Sequence, residues 1–272
     1  MSSTIGAPTG ATARPGGGGE RGGPDGPTRR ERLRQELTQE IKDTALAQLA
    51  AGGPAAITLR GIARELGVSP AALYGYFASL DDLFTALIAD GFIDQAETVE
   101  AVIASRADQP IQDRMLAALY AYRQWALDQE ARFRLLYFSP IPGYQAPEDG
   151  ATHEASLRVS AAFLAVLAEG WAAGLLPVPE PGFDIDCTKF EEQFGLVITP
   201  DQMRTAVACW GEFHGLVSLE VNDHISDHWV DAEALYEATM RAMLRKTGLP
   251  DPSPTITPAS VREELRTRIS PG

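Results

Sequence analysis

Residues 58–83 read TLRGIARELGVSPAALYGYFASLDDL, and this segment is the most informative about the structure of the N-terminal part of the chain. Thr58 and Ser69 each precede a short helical run, at the position where a side-chain oxygen caps a helix N-terminus. Gly67 follows the first run, where a left-handed C-cap favours glycine. Pro70 stands at the first position of the second helix, where no N–H group is needed. The pattern predicts two short helices joined by a tight turn, with the second helix continuing to residue 77, and this arrangement is a helix-turn-helix.

A third helix is predicted directly after this pair. Ser79 stands at a capping position, and Asp81 and Asp82 follow in the first turn, where acidic side chains interact favourably with the helix dipole. Leu73 and Phe77, four residues apart, are expected to point inward. A plain helical hairpin in a bundle produces a similar pattern, so the spacing alone leaves both structures open.

The whole string closely resembles the DNA-binding domain of TetR-family transcriptional regulators. The residues that carry this resemblance are Thr58, Ile62, Ala63, Gly67, Val68, Ser69, Leu73, Tyr74, Tyr76, Phe77, Ser79, Asp82 and Leu83. The resemblance implies an all-α fold, with an N-terminal three-helix helix-turn-helix domain and a C-terminal helical domain for ligand binding and dimerisation. A shorter string, WGEFHG at 210–215, resembles the Trp-His-Gly motif of one C-terminal subfamily.

Charge is unevenly distributed along the chain. The net charge is −14 over 272 residues, but residues 1–77 contain nine Lys or Arg and seven Asp or Glu, a balance of +2. The remaining residues therefore carry −16. Because DNA phosphate repels negative charge, this asymmetry places the nucleic-acid surface at the N-terminal end.

The composition also excludes several classes of protein. No apolar run reaches the ~18 residues of a membrane-spanning helix, and the N-terminus lacks the apolar core of a secretory signal. Two cysteines, Cys187 and Cys209, are too few for a disulfide framework, which fits a reducing cytoplasm. The sequence contains no glycine-rich phosphate loop and no serine or cysteine nucleophile motif. We therefore predict that the protein is not an enzyme and that it binds no cofactor.

Breaks in composition divide the chain into four predicted parts. Residues 1–28 contain nine glycines and four prolines, and this predicts a disordered arm because few apolar side chains are available to offset the entropy cost of ordering. Residues 29–79 form the predicted DNA-binding domain, and residues 80–247 form the ligand-binding and dimerisation domain. Residues 248–272 are predicted to be a Pro-rich tail with a short helix.

Two long helices near the C-terminus are predicted to pair two subunits into a homodimer. Helix 199–222 carries two apolar stripes, of which one can face the domain core and the other a partner subunit. Helix 231–246 completes the pair that forms a four-helix dimer bundle in TetR-like proteins. The first stripe contains Met203, Val207, Trp210, His214, Val217 and Val221, and the second contains Ala206, Cys209, Phe213 and Leu216.

Two Pro-rich segments have open roles. The acidic connection 176–198, with a short helix near 189–194, is long enough to close over a ligand. In the tail, Ser260 and Glu263 have the spacing of a capping box. The helix that they predict has a narrow apolar stripe, and it either docks on the core or stays loose.

The second helix of the motif is expected to enter the major groove of DNA. It contains no charged side chain, and TetR-like proteins often carry a basic or polar residue in place of Gly75 and a lysine in place of Leu80. Alanines can contact thymine methyl groups, and an arginine can read guanine. Arginines at the start of the first helix either pair with phosphate or form a solvated basic face. The candidate DNA-binding residues are Arg29, Arg30, Thr58, Arg60, Ser69, Ala71, Ala72, Tyr74 and Tyr76.

Within this set, Tyr76 is expected to bind a phosphate through its hydroxyl, whereas Tyr74 fits a core position as well as a DNA contact.

Aromatic residues dominate the predicted ligand domain. Core packing is the default role of each, but a pocket for an apolar or aromatic effector would be lined by some of them together with a few polar groups. His214 is the best polar candidate because it interrupts an apolar stripe, although a lone buried histidine is more often structural. The candidate ligand-binding residues are Tyr120, Trp125, Tyr137, Phe163, Trp171, Trp210, Phe213 and His214.

A histidine pair raises the question of a metal site. His224 and His228 lie four residues apart among aspartates, a spacing that can hold a metal on a helix. The favoured interpretation is a polar loop between two long helices, and no metal is predicted.

Taken together, the sequence predicts a cytoplasmic, homodimeric transcriptional regulator that binds double-stranded operator DNA and is released by a small-molecule effector. The uncharged second helix supports an alternative, a small-molecule-binding pseudo-regulator that no longer reads DNA specifically. A small-molecule-modifying enzyme is disfavoured, because the chain lacks a catalytic constellation.

Overall fold

The computed structural model describes residues 28–138, 141, 143–145, 150–225 and 229–269. The predicted arm up to residue 27 lies outside these ranges, as does His228 of the histidine pair. The described residues contain eleven α-helices and no strand, so the all-α prediction is confirmed. The helices are α1 (Arg29–Gly52), α2 (Leu59–Leu66), α3 (Pro70–Leu73), α4 (Leu80–Ala104), α5 (Ile111–Asp128), α6 (Glu130–Tyr137), α7 (Ala151–Ala172), α8 (Thr188–Phe194), α9 (Pro200–Val221), α10 (Ala232–Lys246) and α11 (Pro258–Ile269).

The chain divides into two compact units after Gln39. In the first unit, Thr28 caps α1, because its hydroxyl oxygen accepts a hydrogen bond from the backbone N–H of Glu31 at 3.3 Å. The Glu31 carboxylate accepts one from the backbone N–H of Thr28 at 2.6 Å, which completes a capping box. The predicted start of the helix at Arg29 is confirmed, although its cap was not foreseen.

Within the second unit, α2 and α3 form the predicted helix-turn-helix. Gly67 ends α2 in the left-handed conformation, with φ of 68°, where any other residue would be strained. Ile62 of α2 and Leu73 of α3 are almost completely buried between the helices of this motif. A hydrogen bond of 2.9 Å from Gln48 to Glu65 joins α1 to the outer side of α2.

The second helix of the motif is shorter than predicted. α3 ends at Leu73, whereas the sequence pattern continued it to residue 77. The backbone N–H of Gly75 donates to the carbonyl oxygen of Ala72, and such bonds between residues three apart tighten the chain into a turn. Glycine also loses more backbone freedom than other residues in a helix, which disfavours continuing α3 through this position.

The centre of the second unit is built from α4, α5 and α7. α4 packs along α5 and α7. Ser79 caps α4 as predicted, and it does so in a capping box that was not predicted, in which Ser79 and Asp82 exchange bonds of 3.0 and 3.1 Å. Residues 116–122 of α5 are almost completely buried, so α5 is the central helix of this part of the chain.

Among the described helices, α7 alone is long and apolar enough to cross a bilayer by length and composition. The core helix of a folded domain meets the same criterion. Val159, Phe163 and Leu167 of α7 are buried, and the helix packs against α4 and α5. This packing accounts for its apolar composition.

The two apolar stripes predicted on α9 do not separate into a core face and a partner face. Phe213 and Val217 were assigned to different stripes, yet both are buried, whereas Val207 is 51% exposed and Trp210 is 40% exposed. The prediction is wrong because α5 and α10 both pack against α9 and together bury residues from each stripe. A stripe spaced every 3.5 residues also drifts around a straight helix of 3.6 residues per turn.

The C-terminal helix docks on the core. α11 packs against α5 and buries Val261 and Leu265. Arg106 at the end of α4 pairs with Glu264 at 2.6 Å, and this buried guanidinium fixes the orientation of α11. Of the two outcomes that the sequence left open for the tail, docking is therefore the one observed.

The capping box predicted at Ser260 and Glu263 is wrong. α11 begins one residue after Thr257, and Thr257 and Ser260 exchange the two capping bonds, each 3.1 Å long. The true box therefore lies three residues earlier than predicted. A serine at the third helical position can complete it because its hydroxyl accepts the bond that a Glu or Gln usually accepts.

The 176–198 connection packs against the helical domain. Its predicted short helix is confirmed as α8, and Phe190 of that helix packs with Ile198 against Leu164 and Met203. The Arg204 guanidinium also lies 5.2 Å from the centre of a phenylalanine ring in the connection. The segment is therefore attached to both α7 and α9.

Candidate functional site

The helix-turn-helix places two capped helix N-termini at the surface. Oγ1 of Thr58 accepts a hydrogen bond from the N–H of Gly61 at 3.0 Å, and Oγ of Ser69 accepts one from the N–H of Ala72 at 3.2 Å. Both residues are exposed. The two hydroxyls predicted to contact DNA therefore also hold the start of each helix in place.

The predicted reading residues lie mostly on the outside of the motif. Arg60, Ala71 and Ala72 are exposed, and Tyr74 is 55% exposed. A core role for Tyr74, which the sequence left open, is therefore excluded. Tyr76 is partly buried, so its side chain is divided between the domain and the surface.

Arg29 and Arg30 occupy the first turn of α1, in the first unit, and both are exposed. Exposure fits each of the two interpretations that the sequence allowed, a phosphate contact or a solvated basic face. Lys42, further along the same helix, is engaged differently, because its ammonium group pairs with Asp90 of α4 at 2.6 Å.

A cavity of about 280 Å³ lies between α5, α7, α9 and α10, and it is predominantly apolar. Its volume is close to the roughly 300 Å³ at the lower end of small-molecule pockets. Ser160, Thr247 and Cys209 are the polar members of its lining. Burial raises the pKa of Cys209 to about 11, so its thiol stays protonated at neutral pH. The cavity is therefore suited to an uncharged, apolar molecule.

Three of the eight predicted ligand residues line this cavity, namely Phe163, Trp210 and Phe213. The other five lie elsewhere. Trp125 donates from Nε1 to Asp94 at 2.9 Å, which joins α5 to α4. Trp171 packs at the edge of the cluster around Leu164, Ile198 and Met203.

Two further predicted ligand residues, the partly buried Tyr137 and the buried Tyr120, are also outside the cavity lining. The Tyr137 hydroxyl donates to the side chain of Gln95 at 2.9 Å, and burial raises the pKa of Tyr137 to about 12. Tyr120 is buried beside Tyr236, with ring centres 6.4 Å apart. Burial raises the pKa of Tyr120 well above its usual value. Both phenols therefore stay protonated, and their ligand roles stay predictions.

His214 lies in an aromatic cluster directly behind the cavity wall. Trp210 stacks on its ring with centres 4.8 Å apart and an interplanar angle of 18°, and Tyr137 meets it edge-on at 4.5 Å. Burial lowers the pKa of His214 to about 4, so the imidazole is neutral at pH 7. Because Trp210 belongs to both groups, it connects the cavity to the partly buried histidine.

The sequence did not predict that methionine side chains line the cavity. Met115, Met203 and Met243 come from three different helices and all face the cavity. Their only signal in the sequence is a place on apolar stripes, and that position usually means core packing. Flexible methionine side chains adapt to ligands of different shape, but finding the empty space beside them requires the packed structure.

Comparisons with known proteins identify the family. Residues 41–87 match the family described as "Bacterial regulatory proteins, tetR family", and residues 115–243 match "Tetracyclin repressor-like, C-terminal domain". The HTH-type transcriptional regulator Rv1816 of Mycobacterium tuberculosis is 33% identical over 225 residues, which cover 79% of this chain and 94% of that protein. The chain belongs to the TetR family of transcriptional regulators.

Solved structures share the fold of this TetR-family regulator. The crystal structure of the regulatory protein SCO4313 is 34% identical, with a TM-score of 0.65, and the match covers 80% of this chain and all of that one. A tetR-family regulatory protein from Rhodococcus RHA1 has a TM-score of 0.55 at 20% identity, covering 79% and 99% of the two chains. The second likeness concerns the fold alone. Because the family consists of transcriptional regulators, this member is not an enzyme.

Proposed function

We propose that this TetR-family regulator is a cytoplasmic homodimer that represses transcription at an operator and is released from it by an apolar small molecule. The proposal rests on the position of α4. α4 starts at the helix-turn-helix and then packs against α5 and α7, two of the helices that line the cavity. A ligand that changes the packing around the cavity therefore acts on the helix that supports the DNA-binding motif.

We propose a separate role for each part of the chain. Residues 29–79 read DNA, residues 80–247 bind the effector and the second subunit, and residues 248–272 brace the domain through α11. Residues 1–28, most of which lie outside the described ranges, are proposed to supply further phosphate contacts.

DNA reading in this proposal relies on shape and methyl contacts more than on charge. Ala71 and Ala72 expose their methyl groups, which suit the C5-methyl group of thymine. Arg60 is the exposed cation nearest in sequence to the Thr58 cap, and it can bind guanine or phosphate. The hydroxyls of Tyr74 and Tyr76 donate to backbone phosphates, which positions the motif without reading sequence.

The exposed side of α9 is the proposed dimer contact. Val207, Ala208, Gly211 and Leu219 are exposed there, and a Cβ atom added at Gly211 or Gly215 would meet open space within the subunit. Small residues let a second helix approach closely, and the flanking apolar side chains gain by leaving water.

The effector is proposed to occupy the 280 Å³ cavity and to favour one spacing of the two DNA-binding motifs. Val207 and Trp210 line the cavity and are also exposed on α9. A ligand beside them therefore touches the proposed dimer contact. It can shift the equilibrium only as far as its affinities for the two arrangements differ. Phe190 of α8 closes one side of the cavity and is the proposed lid residue.

A cavity-filling variant tests the effector site. Footprinting on the DNA beside its own gene defines the operator, and a screen of cellular metabolites for release of the protein supplies the effector. Ala206→Phe should fill the cavity, retain operator binding and abolish release. Ala172→Phe, at an exposed position outside the cavity lining, is the matched control and should respond as the wild type does. Normal release of the Ala206→Phe variant would place the effector elsewhere.

The absence of charged residues from α3 also supports an alternative, a pseudo-regulator that binds a small molecule without reading DNA specifically. The same footprinting experiment separates the two. A protected operator supports the repressor, whereas equal binding to all DNA combined with saturable ligand binding supports the pseudo-regulator.

A further inference from the structure

A second cavity lies on the other side of α7. It is a groove of about 390 Å³ between α4 and α7, open at one side, and α5 contributes one residue to it. Its walls are built mainly from small apolar side chains, including Ala161, Ala162 and Ala165. Phe194, the last residue of α8, and Leu196, just after that helix, also line the groove. The groove and the 280 Å³ cavity share no lining residue.

Two arginines line this groove, and only one of them is fully engaged. Arg158 forms a bidentate pair with Glu100, with bonds of 2.8 and 2.6 Å from two guanidinium nitrogens. Arg114 donates from Nη2 to a single oxygen of Glu169. Its Nε is buried and has no hydrogen-bond partner among the described residues.

The missing hydrogen bond is costly for Arg114 because its side chain is the more deeply buried of the two arginines. Its side chain is 9% exposed, compared with 35% for Arg158. A buried donor without a partner is unfavourable, because water satisfies it in the unfolded chain and nothing replaces that water in the fold. A carboxylate placed against the guanidinium fork would satisfy Nε and Nη2 together, since the two groups match in geometry.

Glu169 is poorly placed to supply that carboxylate itself. Its side chain is 55% exposed, and it contacts Arg114 through one oxygen only. An exposed glutamate can turn into water at little cost when a better partner arrives. Glu169 therefore acts as a displaceable partner that neutralises Arg114 while the groove is empty.

We propose that the groove binds a small monocarboxylate with an apolar body. The carboxylate occupies the fork of Arg114, and the apolar body lies along the alanines of α7. A single negative charge fits this site better than phosphate or sulfate, because Glu100 and Glu169 also line the groove and repel further charge. This site would be independent of the effector cavity, and its existence does not depend on the proposed DNA function.

Calorimetric titration of the full-length protein, without DNA, tests the site. The probes are octanoate and 2-naphthoate, each compared with its neutral amide. Both acids should bind saturably and at least tenfold more tightly than the amides. Arg114→Lys keeps the charge but loses the fork, and it should weaken binding of the acids at least tenfold. Glu169→Gln removes the competing carboxylate and should tighten binding several-fold.

A steric variant keeps the test decisive if substitution of buried Arg114 impairs folding. Ala165 is exposed within the groove, so Ala165→Phe should block it without disturbing the core. Ala172→Phe, later on α7 and outside the groove lining, is the matched control and should bind the acids normally. Three results would overturn the proposal: no saturable binding of either acid, equal binding of acids and amides, or acid binding that Ala206→Phe abolishes and Ala165→Phe leaves intact.

Discussion

The hydroxyl of Tyr122 lies 2.7 Å from Nδ1 of His214, and this contact joins the buried centre of α5 to the middle of α9. Burial raises the pKa of Tyr122 well above its usual value and lowers that of His214 to about 4. The phenol therefore keeps its proton, the imidazole is neutral, and the two groups share one hydrogen bond, which the phenol O–H can donate to Nδ1. Trp210 stacks on the same imidazole and reaches the effector cavity.

Stability should fall as the pH is lowered, because His214 must be neutral in the fold. Its pKa is depressed to about 4 in the folded protein from 6.5, so between these values the unfolded chain binds a proton that the folded chain does not. The free energy of unfolding therefore decreases as pH falls from about 6.5 to 4. We expect a loss of about 1–2 kcal/mol from this residue, discounted because the side chain is only partly buried.

Urea denaturation of the wild type and of His214→Gln at several pH values measures this effect. The difference in stability between the two proteins should change across pH 6.5 to 4 and stay constant above pH 7.5. Tyr122→Phe is the companion variant, because it removes the hydrogen bond but retains the ring. A wild type and a His214→Gln variant with parallel pH profiles would show that His214 titrates normally.

Tyr74 should contribute to DNA binding and not to stability. Its side chain is 55% exposed on the outside of the motif, so Tyr74→Ala removes little buried surface. We expect weaker operator binding and an unchanged unfolding midpoint. Leu73→Ala is the control for the opposite case, a buried side chain, because Leu73 lies one residue away and is only 1% exposed. It should cost about 2–5 kcal/mol of stability, as buried Leu→Ala changes do. Unchanged DNA affinity for Tyr74→Ala would remove this residue from the interface.

Gly211→Glu should produce a folded monomer that binds DNA weakly. Gly211 is exposed and has open space around its Cβ position within the subunit, so the new side chain is tolerated until a second helix approaches. Light scattering at micromolar concentration measures the mass. Val217→Glu, which the sequence pattern would suggest, is unsuitable because Val217 is completely buried and its replacement would unfold the domain.

Gly211→Ala is the matched control for the dimer contact. It adds a single methyl group and should keep the dimer while raising helix stability by roughly 0.5–1 kcal/mol. A wild-type protein that is monomeric at micromolar concentration, or a Gly211→Glu variant that stays dimeric, would exclude this face of α9.

The double substitution Arg29→Ala and Arg30→Ala should flatten the salt dependence of DNA binding. Each phosphate contact that is lost reduces the slope of log affinity against log salt by about 0.9. Lys246→Ala with Arg266→Ala removes the same charge far along the chain and should leave the slope unchanged. An identical slope for all three proteins would show that the first turn of α1 is only a solvated basic face.

Local signals in the sequence predicted local structure well. Thr58, Ser69 and Ser79 cap the helices that their positions indicated, because capping depends on a side chain and the next three residues. The same logic failed at Ser260, since both Thr257 and Ser260 are good caps and only the packing of α11 on α5 selects between them.

Features that depend on several helices could not be predicted from the sequence. Whether Val217 or Val207 faces the core depends on where α5 and α10 lie, and a periodic pattern contains no such information. Nε of Arg114, which has no hydrogen-bond partner among the residues that the structure describes, is likewise invisible in the sequence, because its surroundings depend on how α5 and α7 pack.

Selection of bound DNA from a random pool, followed by fluorescence anisotropy titration, tests whether this regulator recognises a specific operator. The wild-type protein should enrich a palindromic sequence of two half-sites. It should bind that sequence on the order of 10³-fold more tightly than a scrambled duplex. Ala71→Glu, at an exposed position of α3, should abolish the preference. Equal affinity of the wild type for the selected and scrambled duplexes would show that the protein does not read a specific DNA sequence.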